Sequence, residues 1–227
     1  MPPAKTTPKA EETGSRILDA ALELFREQGF DNATMRSIAQ KADVATGAAY
    51  YYYASKDAIV MDFYRRSCAE MQPKIEAALE HAPNLEARLR ELIRVKLVHF
   101  ERDRGVLCAL LRGGADPQHP LSPFSPQTKD IREIDIAWFR RILVDCGTRI
   151  PHDLEPHLPG VLWLFQMGVI YFWVTDDSPQ QAKTALLLEL ATTSVTSLIK
   201  MSTMPFMGPL RKTALELIAI VQGAEGL

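Results

Sequence analysis

A short stretch in the first quarter of the chain restricts the possible folds more than any other part. Between residues 34 and 56 the sequence reads TMRSIAQKADVATGAAYYYYASK. Apolar or small residues recur there at the three- and four-residue spacing of short helices, and Asp43 lies in a tight turn between two of them. Thr34 and Ser55 can cap the first helix and the helix that follows the stretch. The pattern predicts two short helices, a turn between them, and a long helix directly behind.

The residues before this stretch predict a bracing helix. Ser15 is a suitable N-cap, and Gly29 supplies the stop. One helix face between them is apolar and carries Ile17, Leu18, Ala21, Leu24 and Phe25. Residues 1–13 are rich in proline and small polar residues, which predicts a disordered arm. A brace followed by two helices and a short turn is the helix-turn-helix arrangement, in which the last helix lies in the major groove of DNA.

The same region resembles the DNA-binding domain of TetR-type transcriptional regulators. From residue 24 to residue 59 the chain reads LFREQGFDNATMRSIAQKADVATGAAYYYYASKDAI. The positions that match the family pattern, in loops as well as on helix faces, are Leu24, Phe25, Gly29, Phe30, Thr34, Ile38, Ala39, Ala42, Val44, Gly47, Tyr50, Ser55, Lys56 and Asp57. The resemblance implies an all-α protein. It places a three-helix DNA-binding domain at residues 14–66, with the helix-turn-helix motif at 34–53, and a larger helical effector-binding and dimerisation domain at 67–227.

The resemblance also implies which residues contact DNA. The groove-facing positions of the recognition helix are occupied by Thr46, Gly47, Ala48 and Tyr51. The positions that contact phosphates in the family are occupied by Thr34, Arg36, Tyr50 and Lys56. Lys56 also falls in the first turn of the long helix, where the helix dipole favours a phosphate. Tyr53 takes the place of a core Phe of the family.

Several residues depart from the family pattern. Asp43 replaces the usual turn glycine, and Asp tolerates a left-handed conformation better than most residues. Ala45 replaces the usual N-capping Ser, so that either Thr46 caps the helix or the helix starts less firmly. Ala48 and Ala49 offer only methyl groups to the groove. We therefore expect few hydrogen bonds to bases, and specificity that depends on thymine methyl contacts and DNA shape.

Charge favours nucleic acid only locally. The formal net charge of the chain is −2, so there is no general basic signature. Between residues 32 and 56, however, there are three basic residues, Arg36, Lys41 and Lys56, and a single acidic one, Asp43. The sequence predicts that these cations form a positive surface on the helix-turn-helix region.

The second half of the chain predicts amphipathic helices and one helix that is apolar on all sides. From Val161 to Val174 only Gln166 is strongly polar, and an apolar core of this length is too short to cross a membrane. The order of helices in the TetR resemblance implies that Leu158–Thr175 and Pro179–Met201 pair with their counterparts in a homodimer. We expect no association with a membrane.

Large aromatic and sulfur-containing side chains are concentrated in the same region. Such groups occur in apolar ligand pockets, although they are equally typical of cores and subunit interfaces. The resemblance implies a small apolar or amphipathic effector. The candidate residues for binding it are Trp138, Trp163, Gln166, Met167 and Tyr171.

The sequence gives no support to catalysis, a metal or a cofactor. It contains no nucleophile elbow, phosphate-binding loop or dinucleotide fingerprint. His152 and His157 form the one cluster that suggests a metal, but capping and solvation at a proline-broken helix start explain them better. Three widely spaced cysteines and an N-terminus without an apolar signal core predict a cytoplasmic protein.

The function predicted from these observations is a sequence-specific, double-stranded-DNA-binding transcriptional regulator. We expect a repressor that binds a roughly palindromic operator as a homodimer and is released by the effector. The alternative is a TetR-like DNA-binding protein without a small-molecule effector, which is controlled by a protein partner or has an architectural role.

Overall fold

The computed structural model describes residues 8–114 and 116–222. In this part of the chain the secondary structure consists of helices and turns, without strands. The α-helices are α1 (Pro8–Gln28), α2 (Met35–Lys41), α3 (Thr46–Tyr52), α4 (Lys56–Glu80), α5 (Leu85–His99), α6 (Arg104–Gly113), α7 (Lys129–Asp145), α8 (Leu158–Thr175), α9 (Ala182–Ser202) and α10 (Gly208–Gln222). Short 3-10 turns lie at Glu101–Asp103, Pro126–Thr128, Pro179–Gln181 and Pro205–Met207. The predicted all-α class is confirmed.

The helices form two compact units. The head unit comprises residues 8–71 together with His99–Arg132, and the body unit comprises Gln72–Val98 together with residues 133–222. The sequence predicted a single division after residue 66, with all later residues in the body. The packing differs from this prediction, because His99–Arg132 returns to the N-terminal helices.

The core of the head unit is made by both of its segments. The apolar faces of α1 to α4 supply most of it, including Ile17, Phe25, Ile38 and Ile59. The returning segment adds Val106, Leu110 and Leu121 to the same cluster. Gly114 permits the chain to turn back, since a Cβ at this position would lie 3.0 Å from the Leu110 carbonyl oxygen.

An ion pair joins the two segments of the head unit. The Nε of Arg26 on α1 lies 2.7 Å from the Oδ1 of Asp103, which precedes α6. The Asp103 side chain is 9% exposed, so its charge is largely removed from water. A desolvated carboxylate is tolerated only when a cation or hydrogen-bond donors compensate it. Arg26 therefore fixes the start of α6 against α1.

The predicted disordered arm at residues 1–13 is corrected for its second half. Residues 8–13 are the first turns of α1, and residues 1–7 lie outside the described residues. Pro8 is preorganised for a first helical position, and Glu11 is favoured by the dipole at a helix N-terminus. Ser15 consequently lies inside the helix and does not cap it. Gly29 ends the helix as predicted, with a left-handed φ of 86°.

In the body unit, α9 buries several threonines and leaves several large apolar residues exposed. The buried residues are Thr184, Leu188, Thr192, Thr196, Ile199 and Ser202. The exposed large apolar residues are Leu186, Leu190, Leu198 and Met201, each at least 39% exposed. The buried Thr192 and Thr196 hydroxyls donate to carbonyl oxygens one turn earlier, at 2.7 and 2.9 Å. The threonines are thereby satisfied within the helix, while Leu186, Leu190 and Leu198 remain uncovered.

The predicted bounds of the apolar helix, residues 158–175, match α8. One face of α8 is exposed and carries Leu164, Gly168, Tyr171 and Phe172. By length and hydropathy α8 could span a membrane, but helices in protein cores meet the same test, and 39% of its residues are buried inside the structure. The other face packs partly against α9.

The last predicted dimer helix starts later than the sequence indicated. Residues 179–181 form a 3-10 turn in which Gln180 and Gln181 have left-handed φ angles of 54° and 50°, and α9 begins at Ala182. The Asp176 carboxylate caps α9 by accepting hydrogen bonds from the Thr184 amide and hydroxyl at 2.9 and 2.6 Å. The hydroxyl donors lower the pKa of Asp176 from its usual value.

Replacement of Leu121 by Ala tests whether the returning segment is part of the head core. Leu121 is 2% exposed, so we expect a loss of about 2–4 kcal/mol in the free energy of unfolding. Urea unfolding followed by far-UV circular dichroism measures this change. Tyr51→Ala, at an 85% exposed residue of the same unit, should cost less than about 1 kcal/mol. Equal small effects would show that the segment contributes little to the head.

Candidate nucleic-acid interface

Thr34 fixes the start of α2 through a capping box. Its hydroxyl accepts a hydrogen bond from the Ser37 amide at 3.0 Å, and the Ser37 hydroxyl oxygen accepts one from the Thr34 amide at 3.0 Å. These reciprocal bonds satisfy two amides that the first helical turn leaves free. The predicted cap is confirmed. The implied contact of Thr34 with a phosphate stays a prediction. In the structure its amide and hydroxyl form the two local hydrogen bonds with Ser37.

The turn between α2 and α3 is built on a left-handed aspartate. Asp43 has φ = 52°, and the Val44 amide donates to the carbonyl oxygen of Ala39 at 3.0 Å. Asp replaces Gly here without loss of the turn, as the sequence predicted. Ala45 occupies the N-cap of α3 and provides no side-chain hydrogen bond. Of the two starts considered for α3, capping by Thr46 is therefore wrong, and the helix begins without a side-chain cap.

One face of α3 is free for contact. Thr46, Gly47, Tyr50 and Tyr51 lie at positions i, i+1, i+4 and i+5 and are all exposed, Tyr51 by 85%. Gly47 has open space around its α-carbon. On the opposite side of the helix, Ala49 is fully buried in the head core. Ala48 lies half-buried between the two faces.

Tyr53 belongs to the core, as the sequence predicted. It is 9% exposed, and its hydroxyl donates to the Oδ2 of Asp62 at 2.6 Å. Burial, and next the hydrogen bond to the Asp62 carboxylate, raise the pKa of Tyr53 above its usual value. This bond ties the end of α3 to α4 and thereby fixes the exposed face.

Lys56 has a structural role in addition to the one implied for it. Its Nζ donates to the carbonyl oxygens of Phe30 and Asp31 at 2.6 and 3.3 Å and lies 4.4 Å from the centroid of the Phe30 ring. The ammonium group therefore anchors the loop between α1 and α2 to the start of α4. A contact of its half-exposed side chain with phosphate stays a prediction.

The predicted positive surface is smaller than the sequence indicated. The Nζ of Lys41 lies 2.8 Å from Glu27 and 3.2 Å from Glu23, both on α1, and these hydrogen bonds raise the pKa of Lys41. Its charge is therefore compensated on the bracing helix. Arg36, in contrast, is exposed and forms no ion pair or hydrogen bond with the residues that the structure describes. Arg36 is thus the cation on this surface that is most available to a phosphate.

The five predicted effector residues lie in different environments of the body unit. Trp163 and Gln166 are buried, Trp138 and Met167 are half-buried, and Tyr171 is 47% exposed on the outer face of α8. Trp138 is stacked by the guanidinium of Arg141, 5.3 Å from its ring centroid. Their role in binding an effector stays a prediction.

Gln166 belongs to a buried polar triad. Its Oε1 accepts from the Nζ of Lys96 at 2.7 Å, and its Nε2 donates to Asp135 at 3.0 Å. The Lys96 ammonium and the Asp135 carboxylate lie 2.9 Å apart, and Lys96 is 2% exposed. These contacts satisfy the amide without any ligand. The triad joins α5, α7 and α8.

Sequence reasoning missed the contribution of Asp103 and Leu121 to the head. Neither residue belongs to a motif, and the partner of Asp103 is 77 residues away. The signal that could have indicated Leu121 is its position as one of two large apolar residues, with Phe124, in a proline-rich segment.

Comparison with known proteins identifies both halves of the chain. The family described as "Bacterial regulatory proteins, tetR family" matches residues 17–62. The "Tetracyclin repressor-like, C-terminal domain" matches residues 88–214, which is more than half of the chain. The helix-turn-helix regulator SrpR of Pseudomonas putida is 52% identical over 52 residues, 23% of this chain and 24% of SrpR. A regulator of Mycobacterium bovis is 31% identical over 111 residues, 48% of this chain and 51% of its own length. The chain thus spans at most about half of these relatives.

Solved structures of similar fold cover most of the chain. A TetR-family regulator from Syntrophomonas wolfei has a TM-score of 0.62 at 18% identity and covers 82% of this chain and 95% of its own. FadR from Bacillus subtilis, in complex with stearoyl-CoA, has a TM-score of 0.61 at 18% identity and covers 78% of this chain and 97% of its own. The SmeT–triclosan complex has a TM-score of 0.58 at 18% identity and covers 81% and 91%.

Arg36→Gln tests the assignment of Arg36 to a phosphate. Loss of one phosphate contact should weaken binding on every duplex and reduce the slope of log K against log salt by about 0.9. Fluorescence anisotropy titrations on two unrelated duplexes at several salt concentrations measure both quantities. Arg65→Gln is the matched control, since Arg65 is an exposed arginine further along α4. A loss confined to one duplex would instead assign Arg36 to base recognition.

Proposed function

The chain belongs to the TetR family of bacterial transcriptional regulators, and from this premise we propose that it is a homodimeric repressor released by a small apolar or amphipathic effector. The relatives are regulators and not enzymes. We propose further that the protein acts in the cytoplasm on double-stranded DNA. The observation that carries the proposal is the uncovered face of α3, which presents Thr46, Gly47, Tyr50 and Tyr51 from a firmly packed head.

The composition of this face supports binding that depends on the DNA backbone and its shape. Gly47 and Ala48 permit close approach to a major groove about 12 Å wide. Tyr50 and Tyr51 have exposed hydroxyls that can donate to phosphates or bases. Thr34 and Arg36 would contact phosphates at the front of α2, and Lys56 would do so at the start of α4. Few of these groups read a particular base.

The outer faces of α8 and α9 support a homodimer. Leu186, Leu190 and Leu198 are each more than half exposed, on the same side of α9. The exposed face of α8 adds Tyr171 and Phe172, and Gly168 leaves room for a partner helix to approach closely. Contiguous apolar surface of this kind is typical of subunit interfaces. We propose a four-helix interface between the α8–α9 pairs of two copies.

The ligands of structural neighbours support control by an effector. FadR from Bacillus subtilis is bound to stearoyl-CoA, which is amphipathic, and SmeT is bound to triclosan, which is mainly apolar. We propose that a ligand of this general character binds in the body near Trp138, Trp163, Gln166, Met167 and Tyr171. It would release DNA only if it binds the released state more tightly than the DNA-bound state.

Leu190→Glu should disrupt the proposed dimer. A charge at the centre of an apolar interface loses solvation without gaining a partner, so we expect a monomer in analytical ultracentrifugation at micromolar concentration. The control is Val144→Glu, because Val144 is 73% exposed on α7 and lies outside the proposed interface. If Leu190→Glu remains as dimeric as Val144→Glu, the α9 interface is wrong.

Selection of bound sequences from random duplex DNA tests whether the protein binds a roughly palindromic operator. Two heads of a dimer should enrich inverted half-sites about one helical turn, or a multiple of it, apart. Addition of candidate apolar effectors to the selected duplex then measures release. Enrichment of single or directly repeated sites would contradict a symmetric dimer. If none of the ligands releases the DNA but a protein does, the partner-controlled alternative is favoured.

A further inference from the structure

The body unit contains a pair of adjoining clefts. The larger has a volume of about 630 Å³ and lies among the start of α5, the end of α7 and the end of α9. The smaller has a volume of about 520 Å³ and extends towards residues 150–153 and Arg211. Arg149 and Thr203 line both clefts, so that together they form a single concave surface. Their volumes fall in the range of small-molecule sites.

None of the predicted effector residues lines either cleft. The position of the clefts, at the ends of three helices, also differs from the buried surroundings of Trp163 and Gln166. If the clefts bind a ligand, it occupies a site separate from the one proposed for the effector.

The acidic groups in the larger cleft are already paired. Glu86 accepts from Arg90 and from the Thr193 hydroxyl, both at 3.0 Å. Asp145 lies 3.5 Å from the nearest nitrogen of Arg88 and 3.6 Å from that of Arg141. Both carboxylates are thus paired with arginines, and Glu86 also accepts a hydrogen bond from a hydroxyl.

Two cations of the cleft remain uncompensated. Arg149 and Lys200 are exposed and line the larger cleft, and neither forms an ion pair or a side-chain hydrogen bond with any residue in the described ranges. The side-chain oxygen of Asn84 accepts from the Ala87 amide at 3.0 Å, which leaves its NH₂ group as a further donor at the cleft wall. An arginine, a lysine and an amide NH₂ are donors suited to phosphate or carboxylate oxygens.

The lining of the same cleft also includes apolar residues. Leu85 and Ile199 line it and are otherwise buried, at 8% and 5% exposure. A ligand that places an anionic group near Arg149 and Lys200 can therefore cover apolar surface with the rest of its structure.

We propose that this cleft is a binding site for an amphipathic organic anion. Its phosphate or carboxylate group binds Arg149 and Lys200, and its apolar portion packs against Leu85 and Ile199. The site does not depend on DNA binding, so its presence or absence can be established without reference to the proposed repressor function.

Titration calorimetry of the full chain with octyl phosphate tests the proposal, with octanoate and 1-octanol as comparison ligands. Octyl phosphate or octanoate should bind, and the tighter of the two identifies the preferred anionic group. The neutral 1-octanol should bind at least about tenfold more weakly, because it lacks the charge-assisted hydrogen bonds. Equal binding of 1-octanol and both anions, or binding of none of the three, would overturn the proposal.

A double variant locates the site. Arg149→Gln with Lys200→Gln should weaken binding of the preferred anion about tenfold or more, since both charged donors are removed. The matched control is Arg140→Gln with Lys183→Gln, which removes the same charges from exposed helix positions of the body unit outside both clefts. Arg149→Gln alone provides an independent measurement if the double variant unfolds. An unchanged affinity in the cleft variants, or an equal loss in the control, would place the anion elsewhere and overturn the proposal.

Discussion

A carboxylate withdrawn from water determines how the head is assembled. Asp103 is nearly buried and is compensated by Arg26 of α1, so separation of α6 from α1 would cost the carboxylate its cation. α1 is also the helix against which α2 packs. The surface that we assign to DNA is therefore held by a brace that is itself tied to a distant part of the sequence.

The features that sequence reasoning predicted well are local. The Thr34 cap involves a partner three residues away, the turn at Asp43 depends on that residue's own φ, and the uncovered α3 face follows from helical spacing. The errors concern partners distant in sequence. The sequence indicated that the charge on Lys41 is available, whereas in the structure Glu23 and Glu27 of α1 lie beside it. No sequence pattern predicts that Asp103 forms an ion pair with Arg26. Helical periodicity gives a face, but it does not say which neighbour covers that face.

The exposed apolar residues of α9 show the same limit of sequence reasoning. Its apolar spacing was recognisable in the sequence, yet spacing alone does not distinguish a face that meets the protein core from one that meets another subunit. The structure distinguishes them, because Leu188 and Ile199 are buried together with the threonines, whereas Leu186, Leu190 and Leu198 remain exposed. Gln166 was similarly singled out as the polar residue of α8, whereas its buried contacts with Lys96 and Asp135 could be recognised only in three dimensions.

The head unit is discontinuous along the chain, and this affects how such a protein can be recombined. The chain passes between the units after Met71, after Val98 and after Arg132. A fragment that ends within α4 would omit Val106, Leu110 and Leu121 and would leave part of the apolar surface of α1 and α4 open to water. Transfer of the complete head unit of this chain to another regulator therefore requires both of its segments, residues 8–71 and His99–Arg132. If this chain were joined to another body at one point in α4, its head would lose Val106, Leu110 and Leu121, even with every residue of the helix-turn-helix retained.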